Sequence, residues 1–268
     1  MPFLDEISAE IQRSIATPGY DSGVPVRRPR DPPSLRHSIE RDRTRGALLV
    51  EYKRVSPGQP TPVLPRRTIA EFVGSTRAAP VTAYSCLATA PRFEGAPRDV
   101  AELARSTHLP VLFKDIVVDR RQVEVAARTG ASAILLIARL ADGGRPVEPL
   151  ASLAEKAHAL GLEVVLEFHH RSELSHAADV AADMFGVNAR DLDSLRIERA
   201  TSEATLRAAH AQGLHPLLGL SGVESAADAR RFWDAGVDGI LVGSAVARAA
   251  VPTEFLSQLL RGASGEAQ

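Results

Sequence analysis

Apolar residues in this chain follow two alternating patterns. Short aliphatic runs recur at Leu48–Tyr52, Thr82–Cys86, Val111–Lys114, Ala133–Ile137, Glu163–Glu167, Met184–Val187, Leu217–Leu220 and Gly239–Val242. Each has the length and β-branched or aliphatic content of a buried strand. Between them, apolar positions return every three to four residues, the spacing of an amphipathic helix. These helical stretches lie near Thr68–Thr76, Asp99–Ser106, Gln122–Thr129, Pro149–Leu160, Ser172–Ala182, Ser202–Gln212 and Ala226–Ala235, with a last one over Pro252–Leu260. Upstream, Leu4, Ile7, Ile11 and Ile15 mark a short helix running to about Thr17. Pro18 to Pro33 reads as an irregular connection, and Ser34 to Arg43 as a second short helix. Eight strand-and-helix repeats predict an α/β fold, a closed (β/α)8 TIM barrel, as one domain over residues 1–268 with 1–46 as an N-terminal helical extension.

Local signals agree. Thr129-Gly-Ala-Ser, Leu160-Gly-Leu-Glu and Ala235-Gly-Val-Asp each put a glycine where a helix must turn back into a strand. No G-x-G-x-x-G follows the first strand, which argues against a dinucleotide-binding sheet. The chain is 44% hydrophobic and 24% charged with a formal net charge of −1, so nothing in its charge calls for nucleic acid or an anionic membrane. Cys86 is the only cysteine, which excludes an intrachain disulfide and a cysteine-based zinc site. The start lacks the basic and apolar regions of a signal peptide, and no apolar run is long enough to span a bilayer, so a soluble cytoplasmic protein is expected.

One bias changes the picture. Of 32 basic residues only Lys53, Lys114 and Lys156 are lysines. Burial can tune the pKa of a lysine far enough to move protons, whereas arginine stays charged. Two of the three stand at predicted strand ends, where barrels of this kind carry their chemistry. Those ends read Glu51/Lys53, Lys114-Asp115, Glu167, Asn188-Ala-Arg190-Asp191, Ser221-Gly222 and Gly243-Ser244. Taken singly, each has a structural explanation: a strand-closing ion pair for Glu51 and Lys53, a local pair for Lys114 and Asp115, a cap for Glu167, a polar turn for Asn188 to Asp191. Convergence on one mouth favours catalysis. The small residues after strands seven and eight fit a phosphate site, with Lys53 and Ser56 beside it once the first strand closes against the eighth. His169-His170 invites a metal reading, but no second cluster supports it and none is expected. His158, His176 and His210 read as surface residues on helices, and Cys86 as a small buried side chain.

Glu51-x-Lys53-x-x-Ser56-Pro57, Leu112-Phe-Lys114-Asp115, Val165-Leu-Glu167, Gly186-Val-Asn188-Ala-Arg190-Asp191-Leu192, Ser221-Gly222 and Leu241-Val-Gly243-Ser244 together resemble the indole-3-glycerol phosphate synthase family. The match is in order and covers about residues 35–262. The resemblance implies ring closure, decarboxylation and dehydration of 1-(2-carboxyphenylamino)-1-deoxyribulose 5-phosphate, without cofactor or metal, by a monomer or homodimer. It implies Lys114 as general acid, Glu167 as the partner acid/base, Glu51 and Asn188 on the sugar hydroxyls, and Lys53 bridging Glu51 and substrate. It further implies Arg190 on the substrate carboxylate, Phe93 and Ile116 flanking the aromatic ring, and Ser56, Ser221, Gly222, Gly243 and Ser244 on the phosphate. Three positions depart from the family pattern: Leu220 and Thr89 stand where it has carboxylates, and Gly58-Gln59-Pro60 lacks a basic residue. The departures leave room for a paralogue acting on a modified aryl-amino sugar phosphate. A Schiff-base aldolase using Lys114 and a non-catalytic phospho-ligand binder are the other readings.

Overall fold

The eight aliphatic runs become eight parallel strands that close on themselves. The structure, a computed structural model, describes residues 3–29, 31–55, 68–142 and 147–260. The strands are β1 (Ala47–Tyr52), β2 (Ala83–Leu87), β3 (Val111–Lys114), β4 (Ala133–Ile137), β5 (Glu163–Phe168), β6 (Met184–Asn188), β7 (Leu217–Leu220) and β8 (Gly239–Val242). They form a closed barrel in sequence order. The seam joins β1 to β8, with Ala47 opposite Gly239 and Val50 opposite Val242. That register brings the C-terminal ends of the first and last strands together, as a phosphate site between them requires.

Two helices precede the barrel, α1 (Phe3–Ala16) and α2 (Leu35–Asp42). The next six are α3 (Ile69–Thr76), α4 (Pro97–Ser106), α5 (Arg120–Thr129), α6 (Leu150–Ala159), α7 (Arg199–Ala211) and α8 (Ala226–Asp234). The last two are α9 (Ser244–Arg248) and α10 (Pro252–Leu260). Gly130, Gly161 and Gly236 all take positive φ, as the expected turns back into the sheet require. The eight strands are buried on both faces, which is why they read as continuous apolar runs. Cys86 is fully buried.

The N-terminal extension is fastened at both ends of the barrel. Ser34 caps α2, and the Glu163 carboxylate at the start of β5 accepts from the backbone N–H groups of Leu35 and Arg36. Helix α1 buries Leu4, Ile7, Ile11 and Ile15 and binds the loops after β2 and β6. There Arg92 pairs with Glu6 at 3.0 Å and Glu10 at 2.6 Å, and Asp193 accepts from the Leu4 N–H. Helix α1 therefore lies against the end of the barrel where the strands finish.

The structure corrects some boundaries. Ser172–Ala182, expected as a helix, is a 3₁₀ segment over Arg171–Ala178. Its tighter coil accompanies a pinned side chain, since Glu173 in the first turn accepts from the His169 N–H at 2.6 Å and from Arg139 at 2.8 Å. Helix α9 lies on a stretch missing from the expected helices, and β5 and β6 each run one residue further than expected. His158 and His210 are exposed, whereas His176 is partly buried; all three have partners, in Asp183, Gly236 and Asp142 respectively. No helix among the described residues is long and apolar enough to cross a membrane.

Candidate active site

Alternation along β1 sends Glu51 and Lys53 to the same face, into the mouth of the barrel. Lys53 Nζ lies 2.6 Å from Glu51 Oε1, and Lys114 Nζ, from the end of β3, lies 3.5 Å from Glu51 Oε2. One buried carboxylate thus faces both lysines. Burial alone would raise the Glu51 carboxyl, but the ammonium groups of Lys53 and Lys114 outweigh it and hold the value at about 2. Burial alone would lower Lys114, but the carboxylates of Glu51 and Glu167 outweigh it and raise its pKa. Lys114 is therefore an ammonium at neutral pH. Gly243, at the end of β8, makes room for this arrangement. A Cβ there would lie 2.9 Å from Glu51 Oε1 and 3.3 Å from Lys53 Nζ.

Glu51, Lys53, Lys114, Glu167, Asn188, Arg190, Phe93, Ile116 and Ser221 line one cavity, so the structure brings together nine of the thirteen residues singled out in the sequence. Asn188 accepts from the Arg190 N–H at 3.0 Å, which ties the two residues into one turn. The Arg190 guanidinium donates to the Leu195 carbonyl at 2.7 Å. Burial pulls its pKa down, against the pull of Glu224 and Glu51. Leu87, Leu135, Ile137, Leu192 and Leu195 line the same cavity with Phe93 and Ile116. A cavity lined by apolar side chains and by convergent acids and bases suits a small molecule with both apolar and charged groups.

The Lys114-Asp115 ion pair considered from the sequence does not form. Asp115 turns away and accepts from Thr89 Oγ1 at 2.6 Å, the Ile116 N–H, Gln122 and the hydroxyl of Tyr20. Burial raises its pKa, and these donors partly offset that. Lys114 is left to Glu51 and Glu167. Tyr20 also brings the N-terminal extension to the end of β3.

At the remaining edge, Ser221 and Gly222 take φ of 63° and 77°, a left-handed pair closing the turn after β7. Gly222 lies against Ala189 and Ile197, and Ser244 begins α9. Glu224 and Arg248 pair across the loops after β7 and β8. Gly243 acquires a role the sequence did not disclose, close approach of the Glu51–Lys53 pair. Ser56 and Gln59 lie outside the described residues.

Leu220 is not among the cavity's lining residues. It is 1% exposed inside the barrel, so close to Gly186 that a Cβ there would stand 2.8 Å from Leu220 Cδ1. Thr89 does line the cavity. The sequence suggested His169 only as a metal ligand and gave no role to Glu173 or Arg139. His169 Nε2 lies 3.6 Å from Glu167 Oε1, and Arg139 pairs with Glu173 and Asp191. The available signal was the two-residue spacing from Glu167 to His169, the same as from Glu51 to Lys53. Among the described residues no group of three or more His, Cys, Asp or Glu could hold a metal.

Comparison with known proteins gives a consistent result. A family model described as indole-3-glycerol phosphate synthase matches residues 4–259. Indole-3-glycerol phosphate synthase 2 of Streptomyces coelicolor is 37% identical over 214 residues, covering 80% of this chain and 80% of that protein. Indole-3-glycerol phosphate synthase of Exiguobacterium sibiricum is 33% identical over 210 residues, covering 78% of this chain and 79% of that protein. Among solved structures, thiamine phosphate pyrophosphorylase from Pyrococcus furiosus superposes with a TM-score of 0.59 at 20% identity, covering 82% of this chain and 96% of that one. At that identity the likeness concerns the barrel alone.

Proposed function

Because the chain belongs to the indole-3-glycerol phosphate synthase family, we propose that its barrel mouth converts 1-(2-carboxyphenylamino)-1-deoxyribulose 5-phosphate to indole-3-glycerol phosphate, carbon dioxide and water. The protein is a carbon–carbon lyase of the carboxy-lyase class, with a place in tryptophan biosynthesis.

The observation that carries the mechanism is the ammonium of Lys114, partly buried in the cavity 3.5 Å from Glu51 and under the field of Glu167. As the aromatic carbon attacks the sugar carbonyl, Lys114 donates a proton to the carbonyl oxygen, and the new carbon–carbon bond forms without a free alkoxide. Loss of carbon dioxide restores electrons to the ring. Glu167 then serves as acid/base while the hydroxyl leaves as water and the ring proton is lost. Groups in such roles typically contribute about 10²–10⁴-fold each. Glu51 and Asn188 orient the sugar hydroxyls, and Lys53 reaches from Glu51 toward the phosphate. Arg190 holds the substrate carboxylate, and Phe93 and Ile116 flank the ring. Ser221, Gly222, Gly243 and Ser244, with Ser56, take the phosphate; anchoring it fixes the reacting end in place.

A Schiff-base aldolase would need Lys114 as a neutral amine at the moment of attack. The two carboxylates that raise its pKa favour the charged form and count against that reading. A cytoplasmic monomer or homodimer belongs to this proposal.

The test is incubation of the purified chain with the carboxyphenylamino-deoxyribulose phosphate, following indole fluorescence and carbon dioxide together. Equimolar appearance of both supports the reaction. Substrate binding without either product would leave only a phospho-ligand binder.

A further inference from the structure

Between Glu167 and the 3₁₀ segment sits His169, whose side chain is 2% exposed. Neither of its ring nitrogens has a hydrogen-bond partner among the described residues. Nε2 lies 3.6 Å from Glu167 Oε1 and Nδ1 lies 3.8 Å from Glu173 Oε2. A buried imidazole ordinarily satisfies at least one nitrogen. Here each nitrogen faces a carboxylate a few tenths of an ångström beyond hydrogen-bond reach, a gap that a small side-chain rotation closes.

The far carboxylate is fixed. Glu173 accepts from the His169 backbone N–H at 2.6 Å and from Arg139 at 2.8 Å, while Arg139 also binds Asp191 at 2.9 Å. Burial would raise Glu173, but His169 and Arg139 outweigh it and bring its pKa to about 2, so it stays anionic. The near carboxylate is not fixed in this way. Glu167 Oε2 is buried in the cavity wall with no hydrogen-bond partner among the described residues.

We propose that His169 is a positioning residue for Glu167, holding that carboxylate and exchanging with it the proton moved during dehydration. The inference rests on the acid/base reading of Glu167. With Nδ1–H directed at Glu173, the lone pair on Nε2 faces Glu167. A proton taken from the substrate by Glu167 passes from Oε1 to Nε2, breaking the O–H bond and forming an N–H bond. Glu167 is again a carboxylate, and the imidazolium sits between two anions. The reverse transfer returns the proton for the departing hydroxyl. The charged groups acting on this unit are Glu167 and Glu173 directly, Arg139 behind Glu173, Lys114 across the cavity, and Asp191, which lies 4.0 Å from His170. A histidine that merely fills space would leave the pH dependence of catalysis unchanged.

The experiment is the pH profile of kcat for wild type, His169→Gln, Glu173→Gln and Glu167→Gln. His169→Gln keeps a donor near Glu167 but cannot take up a proton. It should lower kcat by about tenfold or more, hold KM within about threefold, and move one limb of the profile by about one pH unit. Glu173→Gln should move the same limb by less. In the wild-type chain, ¹⁵N-histidine NMR should show one histidine held as the Nδ1–H tautomer; this readout needs no variant at position 169. An unchanged profile in folded His169→Gln, with turnover abolished in Glu167→Gln, would overturn this inference and leave the role of Glu167 standing. Full turnover in Glu167→Gln would overturn both.

Discussion

Lys114 Nζ, at the end of β3, lies 3.5 Å from Glu51 Oε2, at the end of β1, across the mouth of the barrel. The barrel closure makes this contact; nothing local in either strand does. Glu51→Gln removes the anion that faces both lysines and helps keep Lys114 charged. Burial then dominates at Lys114, and its pKa falls. The variant should lose at least about 10²-fold in kcat, and the alkaline limb of its profile should move to lower pH. Losing the shared partner of two partly buried cations should also lower the unfolding free energy by about 1–2 kcal/mol. Denaturant titration and the pH–rate profile measure the two effects separately.

Acid stability should report the same carboxylates. Glu51 and Glu173 each have a pKa of about 2 in the fold against an ordinary 4.5. A depressed carboxyl contributes stability that is complete above its unfolded value and is lost as pH falls through the folded one. Thermal midpoints should therefore decline between about pH 4.5 and about pH 2. Glu51→Gln and Glu173→Gln, each less stable at neutral pH, should decline less steeply. Parallel curves for all three proteins would contradict the assignment.

Gly243→Ala should disturb the site while sparing the barrel. The added Cβ would meet Glu51 Oε1 at 2.9 Å and Glu51 Cβ at 3.2 Å, so the Glu51–Lys53 pair must move. A rise in KM and a fall in kcat of about tenfold each, with the thermal midpoint nearly unchanged, is the expected result. Wild-type kinetics would mean that the pair tolerates displacement.

Leu220 supports packing. It is 1% exposed and packs beside Gly186, so a carboxylate there would be buried. Leu220→Glu should lower the unfolding free energy by about 2 kcal/mol or more and should not raise kcat. Faster turnover in this variant would show that position 220 reaches the substrate after all.

The barrel and most of its mouth were legible because both follow from periodicity. Aliphatic runs give strands, and polar residues at their ends converge once the strands close. Glu51, Lys53, Lys114, Glu167, Asn188 and Arg190 were visible for that reason. Partner choice was less legible, since it depends on side-chain direction in three dimensions. Asp115 follows Lys114 directly, yet it turns to Thr89, Gln122 and Tyr20, leaving the lysine to a strand more than sixty residues away. The roles of Gly243 and His169 were hidden similarly. One depends on the space an absent Cβ leaves, the other on Glu173, brought up by a 3₁₀ coil where helical spacing predicted an α-helix.

The most direct test of the account is turnover of the carboxyphenylamino-deoxyribulose phosphate by Lys114→Ala beside wild type, read as indole fluorescence in single-turnover and steady-state modes. With Lys114 as the proton donor in ring closure, kcat should fall by about 10²-fold or more while substrate still binds within a few-fold of wild type. Turnover by Lys114→Ala at a rate near that of wild type would contradict it.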